Sequence, residues 1–198
     1  MGYLDSMKMI GKANNYSIGL IDEETYDPGS ADNVFVYKMF HSEENHNDYR
    51  YLTKMGVFVL RDTNVEYSAC VCSSGGATGV HPDCSILEND RLLVCCGNKV
   101  FCLRIPELDL LWETRADSAT CFGIFNFGDS YIIHGELEIS RLDALGRALW
   151  KFSGSEIFTT PVGKDDFRLE AGVIEAVNWS GQTFRIDAMT GKELQRKI

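Results

Sequence analysis

A short pattern that recurs three times in the second half of the chain constrains the fold more than any other feature. Each copy consists of an alternating apolar strand, a tight turn and a second strand, and the copies return at a spacing of roughly 40 residues, a period typical of repeated sheet architectures. A lone hairpin of this kind cannot bury its apolar faces, so the repeat predicts an array of stacked sheets. The copies are residues 100–103 with 110–112, residues 139–143 with 148–150, and residues 183–187 with 193–194.

Strand signals also occupy the rest of the chain. Short runs of alternating apolar residues are separated by Gly, Asn and Asp, and Gly97-Asn98 and Ser180-Gly181 lie between two apolar runs, as hairpin turns do. The pattern predicts an antiparallel sandwich, barrel or propeller. A helix over residues 43–54 is an open alternative in the first half. The predicted strands are residues 18–21, 34–40, 57–60, 65–72, 92–96, 100–104, 122–127, 131–133, 137–142, 173–178 and 183–187.

The turns of the last two repeats carry a specific motif. In residues 185–194 (RIDAMTGKEL) and 141–150 (RLDALGRALW), an Asp ends the first strand, a Gly follows, and the second copy closes on Trp150. The Asp can bond turn amides, the Gly can adopt a positive φ, and the Trp can wedge between neighbouring sheets. The last copy has Gln195 where Trp is expected, and the first has Pro106 and no Gly. A terminal repeat commonly departs from the pattern.

This motif resembles the repeat of quinoprotein-like (PQQ-type) and WD-like β-propellers. The resemblance covers residues 86–198 and is faint before residue 56. It implies a small all-β propeller, or a propeller-like stack of four-stranded antiparallel sheets. It does not imply a bound quinone, because quinoproteins of this family have more blades and are exported, so no cofactor is expected. The stretches LLVCCGNKVFCL and IHGELEISRLD also resemble a group of bacterial proteins, some of them thought to be immunity or interaction factors.

The length sets the number of sheets. At roughly 40 to 45 residues per blade, the 198 residues form a single domain of four blades, or five. The first choice is a closed four-bladed propeller. The second is an open stack that completes itself by dimerising or by docking a partner, since uncovered strand edges recruit other strands.

Composition narrows the function. The chain is 44% apolar and 11% aromatic, as expected of a folded protein, and its formal charge is -10. Binding to nucleic acid is improbable because no cluster of Lys and Arg exists to neutralise phosphates. An acidic surface is suited to a basic protein partner. The N-terminus lacks an apolar signal segment, no apolar run is long enough to cross a membrane, and seven cysteines is an odd count, so we expect a cytoplasmic protein.

One group of residues suggests chemistry in the middle of the chain. We interpret residues 131–139 as a single strand in which His134, Glu136 and Glu138 share one face. Such a row could hold a metal ion or perform acid–base chemistry, with Arg141 nearby. The simpler interpretation is the solvent-facing row of an amphipathic strand, and it is preferred.

A second group contains zinc-type ligands, namely Cys70, Cys72, His81 and Cys84. Thiolate and imidazole are the right ligands for structural zinc, but zinc knuckles use Cys-x2-Cys on a turn. Cys70 and Cys72 instead belong to a predicted strand, where we expect their side chains on opposite faces. Residues 73–79 (SSGGATG) form a loop, and they do not match a phosphate-binding loop because no Gly-Lys-Ser/Thr follows.

Aromatic residues are more consistent with packing between sheets than with a ligand cage. They are Trp112, Phe122, Phe125, Phe127, Trp150, Phe152, Phe158 and Trp179.

The preferred function is therefore a non-enzymatic protein-interaction module, with residues 73–83 and 156–166 as contact loops. An immunity-type protein that neutralises a basic toxin is a specific version of this hypothesis. The alternatives are a metal-dependent enzyme or small-ligand binder that uses the His134, Glu136 and Glu138 row, and a homo-oligomer-forming structural piece.

Overall fold

The computed structural model describes residues 6–23, 25–42, 53–76, 79–88, 90–163 and 166–195. Ten of the twelve residues of the alternative helix over residues 43–54 lie outside these ranges, and its last two begin a strand. Within the described ranges, no helix has the length and apolar character needed to span a bilayer.

The first sheet has five strands in the order β1-β2-β4-β5-β3. All neighbours in it are antiparallel except β3, which pairs parallel to β5. β4 and β5 are the longest strands of the sheet, and most of their residues are buried. Its strands are β1 (Lys8–Ala13), β2 (Tyr16–Asp22), β3 (Met39–His41), β4 (Thr53–Arg61) and β5 (Asn64–Ser73).

The other three sheets follow in chain order, and each is a simple antiparallel meander. A turn of 3-10 helix, Pro82–Cys84, leads into the second sheet. The second sheet is β6 (Ser85–Leu87), β7 (Arg91–Cys96), β8 (Lys99–Arg104) and β9 (Leu110–Arg115). The third is β10 (Cys121–Phe127), β11 (Ser130–Gly135), β12 (Glu138–Asp143) and β13 (Ala148–Ser153). The fourth is β14 (Phe167–Glu170), β15 (Val173–Val177) and β16 (Thr183–Asp187), with a further bridge from Ile186 to Glu193.

The predicted all-β, propeller-like class is confirmed. The described residues form sixteen strands in four sheets, the number expected from four blades of four, although the sheets have five, four, four and three strands. Gly97-Asn98 and Ser180-Gly181 form the predicted turns, of β7–β8 and β15–β16. β1, β6, β10 and β14 each lie at one edge of their sheet, and β1 and β10 both approach β6. These four edges form the inner side of the array.

Consecutive sheets share a hydrophobic core. β7 shows how: Leu92 and Val94 pack with the first sheet, whereas Leu93 and Cys95 pack with the third. Because side chains alternate across a strand, an interior sheet can bury both faces at once. The third and fourth sheets enclose a separate core around Phe158, Ile174 and related residues. Among the described residues, no core cluster joins the first sheet to the fourth, so the first choice of a closed propeller is wrong and the array is open.

The Asp-Gly-Trp motif works as predicted. In the third sheet, Asp143 Oδ1 accepts hydrogen bonds from the amides of Leu145 and Arg147, each at 2.9 Å. Gly146 and Gly191 have φ of +77° and +69°, and a Cβ atom on either would collide with an indole ring of the preceding sheet. The rings are those of Trp112 against Gly146 and Trp150 against Gly191.

An arginine makes a second connection at the same junctions. Arg91 Nη1 in the second sheet donates to the carbonyl of Ala144 in the turn of the third, at 3.1 Å. Arg141 Nη1 in the third sheet donates to the carbonyl of Met189 in the turn of the fourth, at 2.8 Å. Each turn therefore receives an indole ring and a guanidinium group from the sheet before it.

The two outer faces of the array differ. The outer face of the first sheet is apolar, and residues 25–38 cover it with aromatic side chains packed on Phe58, Cys70 and Cys72. The prediction of one strand over residues 34–40 is wrong for 34–38. There the alternation is real, with Val36 exposed and Tyr37 buried, but the segment covers the sheet instead of joining it. On the fourth sheet, Arg168, Glu175 and Arg185 line up across three strands on the face turned away from the third sheet.

Candidate functional site

The two predicted contact loops meet at one cavity. The loop before the second sheet contributes His81 and Asp83, and the loop between the third and fourth sheets contributes Thr159 and Asp166. Between them lie aromatic side chains of β10, β11 and β14. The space has a volume of about 530 Å³, within the range of ligand-binding cavities. We call it the inner cavity.

The base of the second loop is fixed by backbone hydrogen bonds. The amide of Phe158 donates to the carbonyl of Glu136 at 2.7 Å, and the amide of Trp179 donates to the carbonyl of Ile157 at 3.0 Å. Phe158 itself is fully buried between the third and fourth sheets. The loop therefore leaves a rigid base, and its later residues reach the cavity.

Stacked rings form one wall of the inner cavity. Phe167 stacks on Phe125 with ring centroids 4.7 Å apart and on His134 with centroids 4.6 Å apart. Phe122 meets the His134 ring edge-on at 5.4 Å. The three Phe rings are only half-buried, so they combine mutual packing with access to the cavity.

His134 is the buried titratable group of this wall, with 5% of its surface exposed. Its Nε2 lies 2.8 Å from the carbonyl oxygen of Phe158, and since a carbonyl can only accept, Nε2 carries the proton. Burial lowers the pKa of the imidazole, which opposes protonation of Nδ1. The ring is therefore neutral at neutral pH.

The carboxylates of the cavity come from the two loops. Asp166 Oδ2 accepts a hydrogen bond from the Thr159 hydroxyl at 3.1 Å. Asp83 is exposed and is the second residue of the 3-10 turn, with its backbone amide donating to His81 Nδ1 at 3.3 Å. The cavity thus combines two carboxylates, the neutral imidazole of His134, the ring of His81 and aromatic rings.

The predicted row of His134, Glu136 and Glu138 is not one strand face, and that interpretation is wrong. β11 ends at Gly135 and β12 begins at Glu138, so Glu136 lies in the turn between two paired strands. His134 bonds to the Phe158 carbonyl, whereas Glu138 Oε2 accepts from Lys151 at 3.0 Å. Across the described part of the chain, no three His, Cys, Asp or Glu side chains converge as metal ligands would. Of this row, only His134 lines the inner cavity.

Arg141 serves the packing of sheets instead of a reactive site. Besides its bond to the Met189 carbonyl, its Nε donates to Ser130 Oγ at 2.9 Å. Its guanidinium also lies over the ring of Phe127, 5.1 Å from the centroid. The sequence offered a signal for this role, because Arg141 directly precedes the Leu-Asp of the turn motif.

The four candidate zinc ligands are divided among different places. Cys70 and Cys72 lie in the core under the aromatic cover, and Cys84 lies in the core between the first and second sheets. The expectation that Cys70 and Cys72 point to opposite faces is wrong: residues two apart on a strand share a face, and their Sγ atoms are 3.6 Å apart. His81 lines the inner cavity. The structure brings together one pair of this group, not four ligands.

The cysteines are buried, free thiols. The contact with Cys72, followed by burial, raises the pKa of Cys70. Burial raises the pKa of Cys102 to about 11 and also raises that of Cys84. Thiols of raised pKa are poor nucleophiles and metal ligands, so these residues act as small apolar core groups.

The predicted aromatic set divides between packing and the cavity. Most of the rings pack between sheets, and Trp112 and Trp150 do so against the turn glycines. Phe122 and Phe125 line the inner cavity. Sequence reasoning missed Phe167, whose partners Phe125 and His134 lie more than thirty positions earlier in the chain. No local pattern could have indicated that contact.

Comparisons with known proteins concern the fold. No protein-family model matches the chain, and no curated protein matches its sequence. The AfRom2 CNH domain is 10% identical, with a TM-score of 0.52 over 96% of this chain and 53% of that one. BamB from Moraxella catarrhalis is 18% identical, with a TM-score of 0.48 over 74% of this chain and 44% of that one. The Neurospora crassa Pan2 WD40 domain is 10% identical, with a TM-score of 0.47 over 57% and 36%.

This chain thus spans about half the length, or less, of each of these three solved structures. The first likeness extends over nearly all of this chain and supports the architecture of repeated β-sheets. At these identities the likenesses carry no information about ligands or partners.

Proposed function

We propose that this chain is a cytoplasmic, non-enzymatic interaction module that binds a basic protein through the loops around the inner cavity. The observation that carries the proposal is that the loop before the second sheet and the loop between the third and fourth sheets line one cavity, each with a carboxylate, Asp83 and Asp166. Loops held by a rigid scaffold are the usual place for recognition. A formal charge of -10 would accelerate the approach of a basic partner.

The cytoplasmic location is part of this proposal. Seven free, buried thiols suit a reducing compartment, in which cysteines serve as core residues. Membership of the bacterial immunity-type proteins, with a basic toxin as partner, is the specific version, supported by the stretches LLVCCGNKVFCL and IHGELEISRLD. The turn motif supports a PQQ-type or WD-like repeat, because its Asp, Gly and Trp make the turn and packing contacts expected of such a repeat.

Affinity capture with the tagged chain, followed by mass spectrometry, tests the proposal. We expect one basic protein to be retained by the wild type and lost from the double variant Asp83→Asn with Asp166→Asn. The matched control is Asp62→Asn with Asp129→Asn, which removes the same charge from two exposed hairpin turns. Recovery of no specific protein, or equal recovery by both double variants, would contradict the proposal.

A second copy of the chain is the alternative partner, and light scattering after size exclusion separates the two. The proposal expects a 22.2 kDa monomer that forms a heteromeric complex with the captured protein. A stable dimer of this chain whose interface covers the inner cavity would replace the basic partner by self-association.

A further inference from the structure

The inner cavity has the composition of a site for positive charge. Among its described lining residues, the formally charged groups are Asp83 and Asp166, which stand on different loops. Phe122, Phe125 and Phe167 supply apolar ring surface against which the methylene stem of such a group can pack. Carboxylates beside aromatic rings favour an ammonium or guanidinium group and repel phosphate or carboxylate ligands.

The histidine wall does not cancel this preference. His134 donates through Nε2 to the Phe158 carbonyl at 2.8 Å, and its burial opposes a positive charge on the ring. Its ring stacks on Phe167 at 4.6 Å, which holds that phenyl group in place at the cavity. The imidazole therefore acts as a neutral, rigid support for the aromatic surface.

We infer that the inner cavity binds a cationic side chain of the partner, an alkylammonium or alkylguanidinium group inserted between Asp83 and Asp166 with its methylene stem against the Phe rings. This inference rests on the proposed function, since it names the group by which a basic protein would be recognised. The volume of about 530 Å³ is larger than one such side chain and leaves room for its backbone neighbours or for water.

The carboxylates and rings of the cavity favour this ligand over a neutral apolar ligand and over an anionic one. A neutral apolar ligand would use the rings but leave the carboxylates without a counter-charge, and an anionic ligand would be repelled by both carboxylates. A cation with an alkyl stem satisfies the rings and the carboxylates together, because Lys and Arg side chains are apolar along the stem and charged at the tip.

Small-molecule titration tests the inference without the partner. The probes are n-butylammonium and n-butylguanidinium, with n-butanol and butyrate as neutral and anionic controls of the same chain length. The readout is the ring resonances of Phe122, Phe125 and Phe167 in protein labelled with ¹³C phenylalanine. We expect saturable shifts with both cations and none with butanol or butyrate at the same concentration and ionic strength.

Variants identify the groups responsible. The double change Asp83→Asn with Asp166→Asn removes both charge-assisted contacts and is expected to weaken cation binding at least about tenfold. Phe167→Leu keeps an apolar side chain but loses the ring that stacks on Phe125 and His134, so the apolar wall is less ordered and we expect a loss of about three- to tenfold. The double control Asp62→Asn with Asp129→Asn should bind as the wild type does. Thermal unfolding of each variant confirms that it is folded.

The outcomes separate this inference from the proposed function. If the cations shift no Phe resonance, or if butanol or butyrate binds equally well, the inference is overturned, even where the basic partner is still captured. If the cations bind but no partner is captured, the cavity is a cation site and the proposed function fails. An equal loss of binding in both double variants would show a general effect of charge and would also overturn the inference.

Discussion

The outer faces of the first and fourth sheets, at the two ends of the array, differ in how they meet solvent. A stack of sheets always leaves one outer face at each end, and an apolar face there would associate with other molecules. The first sheet keeps an apolar face and covers it with residues 25–38 of the same chain. The fourth sheet leaves its face open and places Arg168, Glu175 and Arg185 across it.

This difference indicates that both ends are closed to further sheets, and it makes the inner cavity the better candidate for binding. The aromatic cover is already occupied by its own chain, with Phe35 and Tyr37 packed on Phe58 at centroid distances of 5.2 and 5.5 Å. The charged face is composed of pairs that satisfy one another. The inner cavity, by contrast, is lined by half-buried rings and by carboxylates from two loops.

The covered end should be the more sensitive of the two. Phe58 is fully buried beneath the cover, so Phe58→Ala is expected to lower the free energy of unfolding by about 3–5 kcal/mol, measured in urea. Val36, in the covering segment, is 73% exposed, and Val36→Ala should change the free energy of unfolding by less than about 0.5 kcal/mol. A loss for Phe58→Ala as small as that for Val36→Ala would show that the segment does not cover the sheet.

The next largest loss of stability is expected at the turn that packs the fourth sheet against the third. In Gly191→Ala, the new methyl group meets the Trp150 ring at 2.6 Å in a backbone of positive φ. The left-handed conformation costs about 1–2 kcal/mol and the overpacking about 1–3, so we expect a loss of about 2–5 kcal/mol. Gly128→Ala has a positive φ with open space around it and should cost about 1–2 kcal/mol in the same urea titration. Equal losses of stability in the two variants would show that the Trp150 ring does not constrain this junction.

Acidification should destabilise the protein through His134, in the interior of the array. Burial lowers the pKa of His134, so below the unfolded value of about 6.5 the unfolded chain binds the proton more readily. The free energy of unfolding should therefore fall as the pH drops from 7.5 to 5.5. The groups whose charges act on the ring are Asp166, Asp117 and His81.

A matched variant isolates this contribution. His134→Gln keeps a donor for the backbone carbonyl without a titrating ring, and it should lose less stability between these two pH values than the wild type. If His134→Gln shows the full dependence, the imidazole is not the group responsible.

The smallest effect is expected at the charged end. The Arg185–Glu175 pair has an N–O distance of 3.1 Å, but the two side chains are 45% and 43% exposed. A double-mutant cycle with Arg185→Ala and Glu175→Ala should give a coupling of about 0.2–1 kcal/mol, which decreases with added salt. A coupling of several kcal/mol would mean that the charged face is a structural element comparable with the aromatic cover.

The parts of this fold that follow from local spacing could be predicted from the sequence. Strand, turn and strand recur with Asp143, Gly146 and Trp150 at fixed positions, and each of these residues makes the contact that its chemistry implies. The segment 34–40 shows the limit, because an alternating pattern fits a covering segment as well as a strand. The break between the predicted strands 131–133 and 137–142 matches the turn at Glu136, but the strong alternation on both sides of it led to the interpretation of residues 131–139 as a single strand.

The candidate site depended on distant contacts and could be predicted only in part. The two loops were identified as contact loops from their position and composition. Their convergence could not be derived, since Asp83 and Asp166 are separated by two sheets in the chain. The stacking of Phe167 on His134 likewise depends on how the fourth sheet packs on the third.

Hydrogen exchange of the complex with the captured basic protein tests the central claim most directly. We predict slower exchange on binding in residues 79–88, 121–127 and 156–163, which surround the inner cavity, and unchanged exchange in residues 25–40 and in β15 and β16. Protection confined to the aromatic cover or to the charged face of the fourth sheet, with none around the cavity, would contradict it.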